Sequence, residues 1–217
     1  NTPATDREVG IDLGVETLAT LSDGRKIGNP RYLKKYERKL AREQRRLSRR
    51  KGARRDEKPS DRYLKQRKRV ARIDAKIADA RTDALYKVTT MLADENQVLC
   101  MEDLNAKGMV RNHHLAKAVS DASFGEFARL LEYKCAERGR TLVKVGRFYP
   151  SSKTCSACGH RLDALPLSVR VWDCPACGAH HDRDVNAARN ILAEGKRVLS
   201  NTEGTAGHAG TVAAVPA

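Results

Sequence analysis

The sequence predicts an α/β fold, and three observations carry that reading. Short segments near its start alternate with the two-residue period of strands. A long stretch after them repeats with helical period, and from about residue 97 short apolar runs alternate with amphipathic helices. The 217 residues (24.1 kDa) suffice for one domain with a small appendage. No apolar run approaches the roughly 18 residues of a membrane span. Asn1 to Arg7 carries neither a basic nor an apolar export signature, so a cytoplasmic, nucleoid-associated place is expected.

Between Val9 and Asn29, VGIDLG, TLATLS and RKIGN are alternating segments separated by Gly14-Val15-Glu16 and Ser22-Asp23-Gly24. Asp-Gly between alternating runs marks a hairpin, so a three-stranded antiparallel meander is expected. From Arg31 to about Ala93, Leu33, Tyr36, Leu40 and Leu47, then Val70, Ile73, Ile77, Ala84, Val88 and Met91, recur at heptad-like spacing, with a break from Gly52 to Ser60. This predicts a helical hairpin with narrow apolar stripes. Gln97 to Met101 reads as a central strand buried on both faces and ending at Glu102. Ser123-x-x-Glu126 has the form of a capping box opening a helix with Phe124, Phe127, Leu131 and Cys135 on one face, stopped by Gly139. Thr141 to Val145 reads as a strand, and Asp184, Val185, Ala188, Ile191 and Leu192 as a last short helix. A Gly-, Ala- and Thr-rich tail over 197–217 is expected to be disordered.

The net charge is +15, and one segment holds all of it: residues 31–72 carry 20 Lys/Arg against 5 acids, while the rest balance. Like charges at that density repel one another unless an anion neutralises them, which favours phosphate over a merely solvated face. Arg38, Arg42, Arg45, Arg46, Arg49, Arg50, Lys65 and Arg69 are the candidate nucleic-acid contacts.

Cys155-Ser-Ala-Cys158-Gly and Cys174-Pro-Ala-Cys177-Gly are two C-x-x-C-G knuckles, the spacing of a four-thiolate structural zinc site. His160, His180 and His181 lie close by and are expected at the surface or behind the ligands, since four thiolates already close a tetrahedron. Cys100 and Cys135 read as packed thiols.

Three acids stand at strand ends and a helix start: Asp12 within VGIDLG, Glu102 at the end of VLCME, and Asp184 at the last helix. Converging carboxylates repel and raise one another's pKa unless a hard divalent cation compensates them, which selects Mg²⁺ or Mn²⁺. Two such ions about 3.5–4 Å apart can activate water and stabilise the leaving oxygen of a phosphodiester. Acids placed on a meander, a later central strand and a last helix outline an RNase H-like fold.

The segments GIDLGV, VLCMEDLN, SDASFGEFARLLEYKCAERG, VGRFYPSSKTCSACGH and CPACGAHHDRDVNAARNIL, in that order, resemble the C-terminal nuclease region of the TnpB (OrfB) proteins of insertion sequences. These are regarded as ancestors of the type V CRISPR effectors. The resemblance covers about residues 8–195. It implies a RuvC-type RNase H-like core over 8–149 with the basic hairpin at 31–93, a zinc ribbon over 150–181, and the last core helix at 182–196. It further implies RNA-guided DNA cleavage, with Asp12, Glu102 and Asp184 as catalytic metal ligands, Cys155, Cys158, Cys174 and Cys177 on one zinc ion, and Arg183 and Asn186 as supporting groups. Asp182 competes with Asp184 in HDRDVNAA; Asp184 is chosen because the family's acid lies two residues before NAA. The family's N-terminal portion, which reads guide RNA and the target-adjacent motif, is expected to be missing from the sequence. Two other classes stay open: a nuclease-inactive binding remnant or regulator, and an unguided RNase H-like nuclease or resolvase. No recombinase nucleophile motif supports strand transfer.

Overall fold

The computed structural model describes residues 3–50, 58–111 and 115–204. They form two compact units, one of Asn1–Asn29 with Lys87–Ala217 and the other of Pro30–Tyr86.

In the first unit, β1 (Glu8–Leu13), β2 (Thr17–Leu21) and β3 (Lys26–Gly28) form the expected antiparallel meander. β4 (Val98–Glu102) and β5 (Thr141–Val145) extend it in parallel, giving the mixed order β3-β2-β1-β4-β5. β1 and β4 lie inside the sheet, which explains their apolar runs: Val9, Ile11, Leu99 and Met101 are all buried. α5 (Phe124–Arg138) packs against β5 and buries Phe124, Phe127, Leu130, Leu131 and Cys135.

The expected capping box does not form. After the one-turn helix α3 (Ala106–Met109), Ser123 takes a left-handed conformation (φ 53°) between α4 (Ala116–Ala122) and α5, and its hydroxyl donates to the Ser120 carbonyl. Glu126 pairs with Arg129 one turn on. A hydroxyl committed to the preceding helix is no longer placed to cap the next one.

The last helix, α6, runs from Arg183 to Gly204, eight residues past the expected end. Val198 and Leu199 pack against Cys100, Val143, Val145 and Ile191, so burial of these two side chains overrides the weak local signal. The expected disorder is therefore wrong for 197–204, and 205–217 lies outside the described residues.

α6 lies against the sheet because two glycines permit it. A Cβ on Gly10 would stand 2.0 Å from the Ala188 carbonyl oxygen, and one on Gly195 would stand 2.3 Å from Cys100 Sγ. Gly10 and Cys100 are register partners, so they share the sheet face that α6 covers.

The second unit contains α1 (Tyr32–Ser48) and the first 26 residues of α2 (Asp61–Glu95); of the expected break, 52–57 lies outside the described residues. Val70, Ile73 and Ile77 are buried as the heptads require. Between Leu40 and Leu47, however, the seam position is taken by Glu43, 6 % exposed, which faces the fully buried Gln66. Gln66 Nε2 donates to the Glu43 carbonyl (3.1 Å) and carboxylate (2.8 Å), and Arg46 pairs with the same carboxylate at 2.9 Å. These bonds, the one from Gln66 first, hold the Glu43 pKa below its ordinary value.

Candidate active site and metal centre

Strand register and helix rise bring the three acids together. Ile11 pairs with Met101, so the next residues, Asp12 and Glu102, lie side by side at the ends of adjacent parallel strands, on the face that α6 covers. From Gly10 to Asp12 the strand advances roughly 6.6 Å. From Ala188, which touches Gly10, back to Asp184 the helix retreats about 6 Å. The two steps match, so Asp184 arrives beside Asp12.

The electrostatics record that meeting. Burial, then the negative charges of Glu102 and Asp184, push Asp12 up to about 8, with Arg183 and Arg170 pulling the other way. Burial also raises Glu102, partly offset by a hydrogen bond from Ser151 Oγ. Arg170 Nη1 lies 3.6 Å from Asp184 Oδ1, and its Nη2 lies 3.6 Å from Glu16 Oε2. Asp182 has a different occupation. Its Oδ1 accepts the amides of Asp184 (3.1 Å) and Val185 (3.0 Å), capping α6, while Lys26 pairs with Oδ2 at 2.6 Å. Against the effect of burial, these donors hold Asp182 below the usual carboxylate range.

The four cysteines converge more tightly. Their sulfurs all lie within 4.8 Å of one another, and among the described residues no other set of three or more His, Cys, Asp or Glu does so. Cys155–Cys177 and Cys158–Cys174 are 3.7 and 3.6 Å apart. Sulfurs about 2.3 Å from a tetrahedral zinc ion would be separated by roughly 3.8 Å, so the donor set fits that ion. Both knuckles close alike: the Gly159 amide donates to the Cys155 carbonyl and the Gly178 amide to the Cys174 carbonyl, with φ of 79° and 72°. That left-handed backbone favours glycine, which explains the G of each C-x-x-C-G. β6 (Val171–Asp173) and β7 (His180–Asp182) form the small sheet beneath. His181 is buried, 3.0 Å by Nε2 from Cys155 Sγ and against Trp172, whereas His160 and His180 are exposed. None of the three replaces a cysteine in the cluster.

Arg183 and Asn186 face the ribbon. Arg183 Nη1 donates to the carbonyl of Pro166 (2.6 Å), and Asn186 Nδ2 donates to that of Thr154 (2.7 Å) while its Oδ1 accepts the Ser156 amide (2.9 Å). Asn190, one turn on, donates to Ser151 and Thr154 at 2.7 and 2.6 Å. The clip therefore joins α6 to the segment carrying both Ser151, on Glu102, and Cys155. Sequence reasoning missed Asn190, Ser151 and Arg170. The signal for Asn190 was present: two asparagines four residues apart on an otherwise apolar helix face cost free energy unless paired. Arg170 and Ser151 had none, because their partners are distant in sequence.

Of the basic residues expected to touch nucleic acid, Arg42 and Arg46 pair with Glu43, and Arg50 donates to Gln66 at 3.1 Å. Arg38, Arg45, Arg49, Lys65 and Arg69 are exposed.

Acids at the ends of adjacent parallel strands thus stand with a four-cysteine cluster joined to them through α6. A family model described as "Probable transposase" (OrfB_IS605) matches residues 1–113, and one described as "Cas12f1-like, TNB domain" matches 124–191. The chain belongs to the OrfB_IS605 family, that of the TnpB proteins. It is 49 % identical over 193 residues to a Streptomyces pristinaespiralis protein named "Putative RNA-guided DNA endonuclease", covering 89 % of this chain and 46 % of the relative. It is 35 % identical over 207 residues to InsQ of Escherichia coli (strain K12), which bears the same description, covering 88 % and 50 %. The chain thus spans about half the length of these relatives. The fold is also similar to a chain of the CRISPR-Cas12f ternary complex solved by cryo-EM, with TM-score 0.59, 22 % identity, and coverage of 88 % of this chain and 40 % of that one. Among the described residues no helix is long and apolar enough to cross a membrane.

Proposed function

We propose that this chain is the catalytic part of an RNA-guided DNA endonuclease with an RNase H-like, RuvC-type core. The carrying observation is the convergence of Asp12, Glu102 and Asp184, with Asp12 pushed up to about 8 by burial and its two acidic neighbours. Such a group of hard oxygen donors is stabilised by divalent cations, and Asp12, Glu102 and Asp184 would hold two Mg²⁺ or Mn²⁺. When bound, these ions supply Lewis-acid activation of water and stabilise the leaving oxygen. The chain's own groups do the rest. Ser151 orients Glu102, and Asp182 anchors the start of the helix that presents Asp184. The convergence of all three acids favours this reading over a nuclease-inactive remnant. Incubation with Mg²⁺ and single-stranded DNA tests it, since cleavage by an Asp12→Asn variant at the parent's rate would overturn it.

The ribbon, 150–181, carries one structural zinc on Cys155, Cys158, Cys174 and Cys177. A Cys155→Ser, Cys174→Ser double variant is expected to lose the metal, read as zinc per chain falling from near one to near zero. It is also expected to lose at least tenfold in cleavage, because Ser151 and Asn186 are held through the same segment. Unchanged zinc content would remove the assignment.

The hairpin contributes electrostatic grip on nucleic acid, guide RNA paired with its target in the longer protein, while the acids take a single DNA strand. Neutralising Arg45, Arg49, Lys65 and Arg69 to Gln is expected to flatten the dependence of log affinity on log salt by about 0.7 for each phosphate that is no longer neutralised. An unchanged slope would place the grip elsewhere.

A further inference from the structure

The chain contains three phenylalanines, and two of them, Phe124 and Phe127, are buried. The third, Phe148, is 93 % exposed, the most exposed large hydrophobic side chain among the described residues. Solitary exposed apolar side chains are common, but here the backbone that carries one is pinned on every side. The Tyr149 amide donates to the Gly146 carbonyl at 2.9 Å, closing a β-turn with Phe148 at its third position. Arg147, the second residue of the turn, donates from Nη2 to Asp103 Oδ2 at 3.0 Å and from Nε to the Asp103 carbonyl at 3.3 Å. Tyr149 packs against the core of Cys100, Val143, Val145 and Ile191, and the Ser151 amide donates to the Tyr149 carbonyl at 2.8 Å.

The position of the turn gives the exposed ring its meaning. Val145 is the register partner of Glu102, and Ser151, whose hydroxyl bonds Glu102, closes the far side. Phe148 lies three residues from each, so no more than about 11 Å of chain separates it from either. A rigid turn thus presents an unpartnered aromatic face at the same end of the sheet as the three acids.

We propose that Phe148 is a stacking subsite for one unpaired base of the strand whose phosphate lies at the acids. Resting on the nuclease reading above, it assigns a substrate-positioning residue to that site. Every nucleobase has a π face, so a ring held this way accepts any sequence and fixes where along the strand the acids meet the backbone. A residue buried in solvent-free packing would contribute to stability; this one contributes to binding.

The test compares the full chain with its Phe148→Ala, Phe148→Leu and Phe148→Trp variants, all carrying Asp12→Asn so that no cleavage intervenes. The probes are a single-stranded thymidine oligonucleotide and the same backbone with abasic positions. Stacking is worth about 1–3 kcal/mol per base, so Ala and Leu are expected to weaken binding of the intact strand roughly 5- to 150-fold, with Trp restoring it. On the abasic strand all four forms should bind alike, and their thermal midpoints should coincide, which a structural role would not give. Equal affinity of the Ala and Phe forms for the intact strand overturns the proposal. So does an equal loss on both strands, full rescue by Leu, or absence of binding by the Phe form. Cleavage that survives Asp12→Asn, measured with Phe148 intact, overturns the nuclease reading alone.

Discussion

Replacing Asp12 with asparagine is expected to abolish metal-dependent cleavage and, in the same molecule, to stabilise the metal-free fold. Asp12 is pushed from 3.8 up to about 8 by burial and by Glu102 and Asp184. Below about pH 4 the group is neutral in folded and unfolded chains alike and costs nothing. Between there and about 8 the unfolded chain releases the proton while the folded chain keeps it, so stability falls as pH rises. The shift caps this loss at about 6 kcal/mol. Because part of the side chain still reaches solvent, about 2–3 kcal/mol at pH 8 is the expected gain for asparagine. Urea midpoints at pH 5 and pH 8 measure it: the parent should lose stability between them, and the variant should lose much less. Added Mg²⁺ should close the gap at pH 8 by displacing the proton from the parent alone. Parallel pH profiles for the two forms would show that the acids do not share a site. On the proposed nuclease reading, Asp12 destabilises its own fold while serving chemistry, the trade expected of a catalytic group.

Gly10→Ala is the second large effect. The added methyl would stand 2.0 Å from the Ala188 carbonyl oxygen and 2.8 Å from the Leu192 amide nitrogen, both backbone atoms that no rotamer change can move. The whole of α6 must shift, at a cost of about 3 kcal/mol or more, which lowers the melting temperature of a chain this size by roughly 6–12 °C. Asp184 moves with the helix, and a displacement of about 1 Å in a reacting group can remove two orders of magnitude in rate. Gly28→Ala is the control, since nothing lies within 4 Å of its added carbon. Wild-type cleavage by Gly10→Ala would mean that helix position does not set the acid geometry.

Much of this architecture was legible in the chain. The meander followed from two-residue alternation around Asp-Gly, and the interior place of β4 from an unbroken apolar run. The knuckles were legible because the same spacing and glycine occur twice. What escaped notice was set by tertiary partners. Glu43 at a seam position contradicts the heptad rule and is explained chiefly by Gln66, 23 residues away. Ser123 has a capping sequence but spends its hydroxyl on the preceding helix, and α6 outruns its local signal because Val198 and Leu199 have a core to join. The choice between Asp182 and Asp184 rested on resemblance; that Asp182 caps α6 became visible only with the backbone amides in place.

The sheet's innermost pairing joins residues 10 and 100, and the helix lying over it begins at Arg183. On the ribosome, the meander emerges before a neighbour that is about 90 residues away, and both wait for the segment that brings Asp184. Nascent or prematurely terminated products ending before that point contain two of the three acids and not the third. The three-acid pocket is thereby completed only after the segment containing Asp184 has been made.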